Sequence, residues 1–201
     1  MNNEPITSAE SLQIIQEMIQ KARNQFSENG HLYLLWGYVI LVCCLLQFIL
    51  KEWLKVEQYY AVWGLTWLAF FYQMYYIFKK RKQAKVKTYS DTVLKYVWTA
   101  FVATMFVLSF VISGFSVQFK FDAQFMYLPV LLALYGVPTF LSGAILNFKP
   151  LRTGGVICWI LALVSMYVPE KYVVLLVAAA VVIAWIVPGY LLRQHYKKQQ
   201  A

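Results

Sequence analysis

The sequence predicts an all-α membrane protein: six transmembrane helices preceded by an amphipathic helix that stays in water. Three observations predict it. Hydrophobic residues make up 61% of the chain and charged residues only 13%, whereas a soluble domain carries about 25% charge. The apolar residues gather into six stretches, each near the ~20 residues that one bilayer crossing needs. Residues 7–26, TSAESLQIIQEMIQKARNQF, space their apolar positions as a helix with one wet face does. The chain therefore divides into a head, residues 1–30, and a transmembrane domain, residues 31–201.

The head comes first. Thr7 and Glu10 form a capping box, and Glu17 and Lys21 an i to i+4 ion pair, so the helix has a start signal and local support. It runs to about Ser27, ahead of Asn29 and Gly30. Leu12, Ile15, Ile19, Ala22 and Phe26 make a narrow heptad seam, broadened by Ile14 and Met18. The four Glu of this segment (Glu4, Glu10, Glu17, Glu28) distinguish it from the basic start of a cleavable signal peptide, so it is expected to remain in the mature protein.

The spans are expected at 32–50, 59–78, 93–116, 124–146, 152–169 and 172–192. Charge sets their direction. Lys21 and Arg23 precede the first span; Lys79, Lys80, Arg81, Lys82, Lys85, Lys87 and Lys95 lie between the second and third; Lys149 and Arg152 follow the fourth; Arg193, Lys197 and Lys198 follow the last. These 14 fall on one side, against Lys51, Lys55, Lys120 and Lys171 on the other. The positive-inside rule then puts both termini in the cytoplasm.

What the spans lack excludes several activities. No Asp, Glu, Lys or Arg lies in the central part of any of the six, which removes the usual carriers of proton-coupled transport. Ser142 and Gly143 resemble the surroundings of an intramembrane serine nucleophile, but no membrane base accompanies them. Asp91 and Asp122 sit on opposite sides, so no paired carboxylates form. Cys43, Cys44 and Cys158 are an odd number within spans and read as small packing residues. His31 and His195 lie at helix ends, where they make no axial pair. The expectation is a non-enzyme with no metal and no cofactor. The net charge of +9 is concentrated in KKRKQAKVKTYSDTVLK at two span ends, which reads as a topology anchor in contact with anionic lipid and not as a nucleic-acid interface.

The fourth span has unusual internal chemistry. Pro129 and Pro138 each delete a backbone donor, and Pro138 follows Gly136, so a kink is expected. Gly136, Thr139, Gly143 and Asn147 follow spacings of 3, 4 and 4, which places them on one face. That face, with Pro138, is a candidate close helix seam or cavity. The hairpin NFKPLRTGG at 147–155 carries Lys149 and Arg152, a candidate grip for a phosphate or lipid headgroup. Pro150 is expected to hold Lys149 out of helical geometry, and Gly154 and Gly155 to allow close packing. Pro188 and Gly189 predict a bend in the last span. LLWG at 34–37 and AVWG at 61–64 do not amount to a repeat, since no third copy follows.

The strings SAESLQIIQEMIQKARNQF, LYLLWGY and YGVPTFLSGAILNFKPLRTGGVICWIL cover about a third of the chain. With them the protein resembles a family of small, uncharacterised bacterial six-helix inner-membrane proteins. The resemblance implies a signalling or regulatory connection through neighbouring winged-helix regulators, and supplies no catalytic residues. The expected function is a non-enzymatic sensor or accessory subunit working through cytoplasmic protein contacts; the alternative is a small-molecule or lipid transporter or channel built on the fourth span. Three covers compete for the seam at Leu12, Ile15, Ile19, Ala22 and Phe26. The protein's own basic cytoplasmic face, alone or in a homo-oligomer, leads; a cytoplasmic regulatory protein and the lipid surface follow.

Overall fold

The computed structural model describes residues 30–83, 89–120 and 124–200, and among them there is helix and no strand. The seam residues Leu12, Ile15, Ile19, Ala22 and Phe26 lie outside the described residues. Helix α1 (His31–Phe48) runs on through a π-helical turn, Ile49–Trp53. It stops where Lys55 turns to φ 49° and the Val56 amide reaches the Leu50 carbonyl at 2.9 Å. A 3₁₀ turn, Tyr59–Gly64, leads into α2 (Leu65–Gln83). Then come α3 (Tyr89–Phe119), α4 (Gln124–Ile145), α5 (Lys149–Val164), α6 (Glu170–Val181) and α7 (Val187–Gln200). A π turn, Val182–Ile186, joins α6 and α7 into one long C-terminal helix.

Five of these helices are long and apolar enough to cross a membrane: His31–Trp53, Ser90–Phe119, Phe125–Ile145, Lys149–Tyr167 and Glu170–Lys198. The stretch expected as the second span differs from them. It begins as the 3₁₀ turn, is diluted by Tyr72, Gln73, Tyr75 and Tyr76, and continues into Lys79, Lys80, Arg81 and Lys82. Its polar content, not its length, sets it apart.

Successive helices alternate in direction, as side-chain contacts at the two ends demonstrate. At one end His31 meets Tyr72 and Tyr76 of α2, Tyr33 meets Trp98 of α3, and Phe148 meets His195 of α7. At the other, Lys51 bonds Glu170 at 2.9 Å, Phe48 meets Tyr172, and Ser113 of α3 bonds Tyr127 of α4 at 2.5 Å. We call these the hairpin end and the far end.

The C-terminal helix is the centre of the bundle. Of its apolar window 61% is buried, against 6% for α3. Small and β-branched residues explain why: Val173, Val177, Ala178, Ala180, Val181 and Ala184 let neighbours approach, and all are buried. Gly30 and Gly189 make the first close approach. A Cβ on Gly30 would collide with the Gly189 carbonyl, and its φ of +70° also favours glycine. Next to this seam an aromatic cluster of Tyr33, Trp98, Phe101, Tyr135 and Trp185 ties α1, α3, α4 and the C-terminal helix together, with ring centroids 5.1–5.8 Å apart.

The two Trp-Gly strings find partners across one helix pair. Trp36 in α1 donates to Gln73 in α2 at 2.6 Å, and Trp63, just before α2, donates to Gln47 in α1 at 2.7 Å. Antiparallel packing makes the two bonds mirror each other about the middle of the pair. The spacing of the strings therefore reflects this reciprocity and not a tandem unit.

Candidate functional site

Helix α4 and the hairpin after it hold the candidate residues. At 3.6 residues per turn Gly136 and Gly143, seven apart, differ in direction by about 20°, and both face α5. A Cβ on Gly136 would strike the Trp159 indole and stand 2.9 Å from the Gly155 carbonyl oxygen. One on Gly155 would stand 2.8 Å from the Gly136 carbonyl oxygen and 2.7 Å from the Phe140 amide nitrogen. One on Gly143 would strike the Arg152 amide and stand 2.8 Å from Arg152 Cγ. Each glycine thus faces backbone of the other helix, and Trp159 Nε1 donates to the Ala133 carbonyl across the seam at 3.1 Å.

Thr139 does not share that face. It is turned about 60° from Gly136 and points into the C-terminal helix. Its hydroxyl donates to the Tyr135 carbonyl and accepts from Trp185 Nε1, both at 2.8 Å and both buried. The π turn that carries Trp185 lies directly before Pro188, which withholds the donor that the Ala184 carbonyl needs in a regular helix. Gly154 packs where that turn widens, and a Cβ there would stand 2.8 Å from the Ala184 Cα. Pro129 and Pro138 lie inside α4, which remains a helix through both, and Pro138 is fully buried.

Ser142, one turn after Thr139, is 0% exposed, and among the described residues its Oγ has no hydrogen-bond partner. No base is bonded to it. Asn147 lies past the end of α4 with φ 49°. The Phe148 amide returns to the Gly143 carbonyl at 2.8 Å and the Asn147 amide to the Ala144 carbonyl at 3.2 Å, a Schellman closure with Asn in the left-handed position. The expected common face of Gly136, Thr139, Gly143 and Asn147 is therefore three separate environments.

Phe148 takes the extended conformation, and α5 starts at Lys149, one residue earlier than Pro150 led us to expect. The proline sits in the first turn, where its missing donor is not needed. Lys149 is exposed. Arg152 is half-buried, its stem laid over Gly143 and its guanidinium 3.5 Å from Asn147 Oδ1. Together with Phe140, Thr153, Val156 and Ile157 it lines a shallow groove of about 350 Å³ between α4 and α5. A second groove of about 350 Å³ lies between α3 and α4, beside Pro138 and lined by Tyr96, Ala100, Thr104, Val137 and Leu141.

The hairpin end gathers the cations. Lys79, Lys95, Lys149, Arg152, Arg193, Lys197 and Lys198 stand there, with Asp91 as the one acid at that end among the described residues. Among the described residues the far end is nearly neutral, with Lys51, Lys55, Lys120 and Lys171 against Glu52, Glu57 and Glu170. Among the described residues no group of three or more His, Cys, Asp or Glu is placed to hold a metal ion.

No protein-family model, curated protein or solved structure matches this chain. The geometry alone carries the functional reading. Two structural anchors had no local signal in the sequence: Trp185, which stands in a uniformly apolar stretch, and the Gly30 to Gly189 contact, whose members are far apart in the chain.

Proposed function

We propose that the chain is a multi-pass protein of the bacterial inner membrane that crosses six times, keeps both termini in the cytoplasm, and acts without catalysis as a sensor or accessory subunit. Its working surface is the hairpin end, which faces the cytoplasm. One observation carries this reading: the cations stand together on the end where α1 begins and α7 finishes, while the far end is nearly neutral. Such an asymmetry orients a protein in a membrane and makes one face attractive to acidic partners. The residues 1–30 head, with its four Glu and its apolar seam, enters at Gly30 on this same face.

The test is recovery of a cytoplasmic partner from native membranes with the full chain and with residues 1–28 deleted. Loss of the partner while insertion persists supports the reading, and unchanged recovery overturns it. Orientation is measured separately: a cysteine at Lys198 should be shielded from an impermeant maleimide in intact cells, and one at Lys171 should react. The second reading, transport along α4, is favoured by the groove beside Pro138. It predicts flux in reconstituted vesicles that Leu141→Trp abolishes, and no flux in the parent protein would end it.

A further inference from the structure

We infer that the α4–α5 groove is a binding site for one anionic phospholipid, with Arg152 on the phosphate and Phe140, Val156 and Ile157 against an acyl chain. This rests on the membrane reading above and goes beyond it by naming a ligand. The groove joins two chemistries that rarely meet by chance. Phe140, Val156 and Ile157 make it apolar, and the half-buried Arg152 stands at its hairpin end.

Among the described residues that guanidinium meets no anion. Among the described residues Arg152 has no acidic partner, and its one side-chain bond is a long 3.5 Å contact to the neutral Asn147 amide. A cation drawn partly out of water is stabilised by charge-assisted, bidentate bonds, which a phosphate matches in shape. Thr153 contributes no donor, because its hydroxyl is committed to the Lys149 and Pro150 carbonyls at 3.3 and 3.0 Å. Lys149, exposed three residues earlier, adds a second positive charge. The first turn of α5 has no side-chain cap from Phe148, so its dipole adds to the attraction for an anion.

Position is built into the fold. Gly143 has no Cβ, and only that absence lets the Arg152 backbone and stem lie on α4. The backbone and the base of the Arg152 stem are thereby fixed at the edge of the groove. Basic pockets between helix ends on the cytoplasmic side are where anionic headgroups are recognised. The groove between α3 and α4 has the same volume but no charged residue in its lining, so it supplies an internal control.

The experiment uses the full chain in detergent, delipidated and then titrated with phosphatidylglycerol, phosphatidylethanolamine or inorganic phosphate. Native mass spectrometry reads occupancy and a melting curve reads protection. Phosphatidylglycerol should bind and protect better than phosphatidylethanolamine, and inorganic phosphate should protect little. Arg152→Gln should weaken phosphatidylglycerol binding about tenfold, equivalent to about 1.4 kcal/mol, while Lys197→Gln and Leu141→Trp should leave it within about twofold. Val156→Trp, at a position 40% exposed and so tolerated by the fold, should fill the groove and displace the lipid with Arg152 intact.

Equal binding of the two lipids, protection by inorganic phosphate as strong as by lipid, or unchanged affinity in Arg152→Gln each overturns the proposal. So does an equal loss in Lys197→Gln, which would assign the effect to diffuse surface charge. Extraction of membranes at alkaline pH separates this proposal from the membrane reading. A protein that stays in the membrane fraction while Arg152→Gln binds normally sinks only the lipid site.

Discussion

Replacing Gly155 by alanine puts a methyl group in place of a hydrogen, in a seam that has no room for it. The new Cβ would stand 2.7 Å from Phe140 Cβ and the Phe140 amide nitrogen, and 2.8 Å from the Gly136 carbonyl oxygen. Two of those atoms are backbone, so no rotamer change relieves the contact. Separation to ordinary van der Waals distance, about 3.5 Å or more, requires α4 and α5 to move apart by several tenths of an ångström. That shift loosens the Gly136 and Gly143 contacts and lengthens the Trp159 bond to Ala133, now 3.1 Å. Overpacking of this kind costs about 1–3 kcal/mol.

A matched control separates packing from helix propensity. A Cβ on Gly114, in α3, meets nothing within 4 Å. Alanine there gains helix propensity without a clash and should be neutral or stabilising, by up to about 1 kcal/mol. The assay is reversible unfolding in mixed micelles, followed by tryptophan fluorescence, or a thermal melt in nanodiscs. A chain of this size shifts its Tm by about 2–4 °C per kcal/mol by analogy with soluble proteins. Gly155→Ala is expected to fall below the parent and Gly114→Ala to equal or exceed it. If the two variants are indistinguishable, the close seam is not what holds α4 to α5.

Further predictions concern neighbouring groups. Thr139→Val and Trp185→Phe should each destabilise, and a double-mutant cycle should return a coupling of about 0.6 kcal/mol and at most about 1.7; a zero coupling removes the buried bond from the account. Ser142→Ala, one turn away, should be neutral or stabilising by about 1 kcal/mol, because it deletes a buried hydroxyl that has no partner among the described residues; strong destabilisation would reveal a bonded hydroxyl. Glu170→Gln breaks the bond to Lys51, but both side chains are substantially exposed, so the change should stay below about 1 kcal/mol in the same unfolding assay. Cys43, Cys44 and Cys158 are buried, at 0–1% exposure, and should resist a maleimide in the folded protein and react after denaturation.

Much of the fold was legible because hydropathy is a sum over single residues, and a run of apolar side chains announces a helix wherever it will pack. The turn between α4 and α5 was legible too, from the proline and paired glycines of the stretch 147–155. The seam at Gly136 and Gly143 was visible as small residues at helical spacing. Thr139 and Asn147 were misjudged because spacings of 3 and 4 fit the same stripe within about 60°, wide enough to include a second neighbour. A helix wedged between two partners divides its stripe between them, and Asn147 belongs to the backbone closure of the hairpin. The second stretch folds as a helix at Leu65–Gln83 but is less apolar than the other five, since a run of aromatic residues is not equivalent to aliphatic hydropathy.

The sequence by itself determined that the described residues are helical, the approximate place of their helices, and the imbalance of charge between the helix ends. These follow from composition and local periodicity, which need no knowledge of neighbours. Only the tertiary structure decided that the C-terminal helix is the axis, that Gly30 meets Gly189, that Trp185 bonds Thr139, and that Arg152 lies over Gly143 at the mouth of a groove. Each is a contact between residues chosen by how helices approach one another, and that approach depends on all the facing side chains at once.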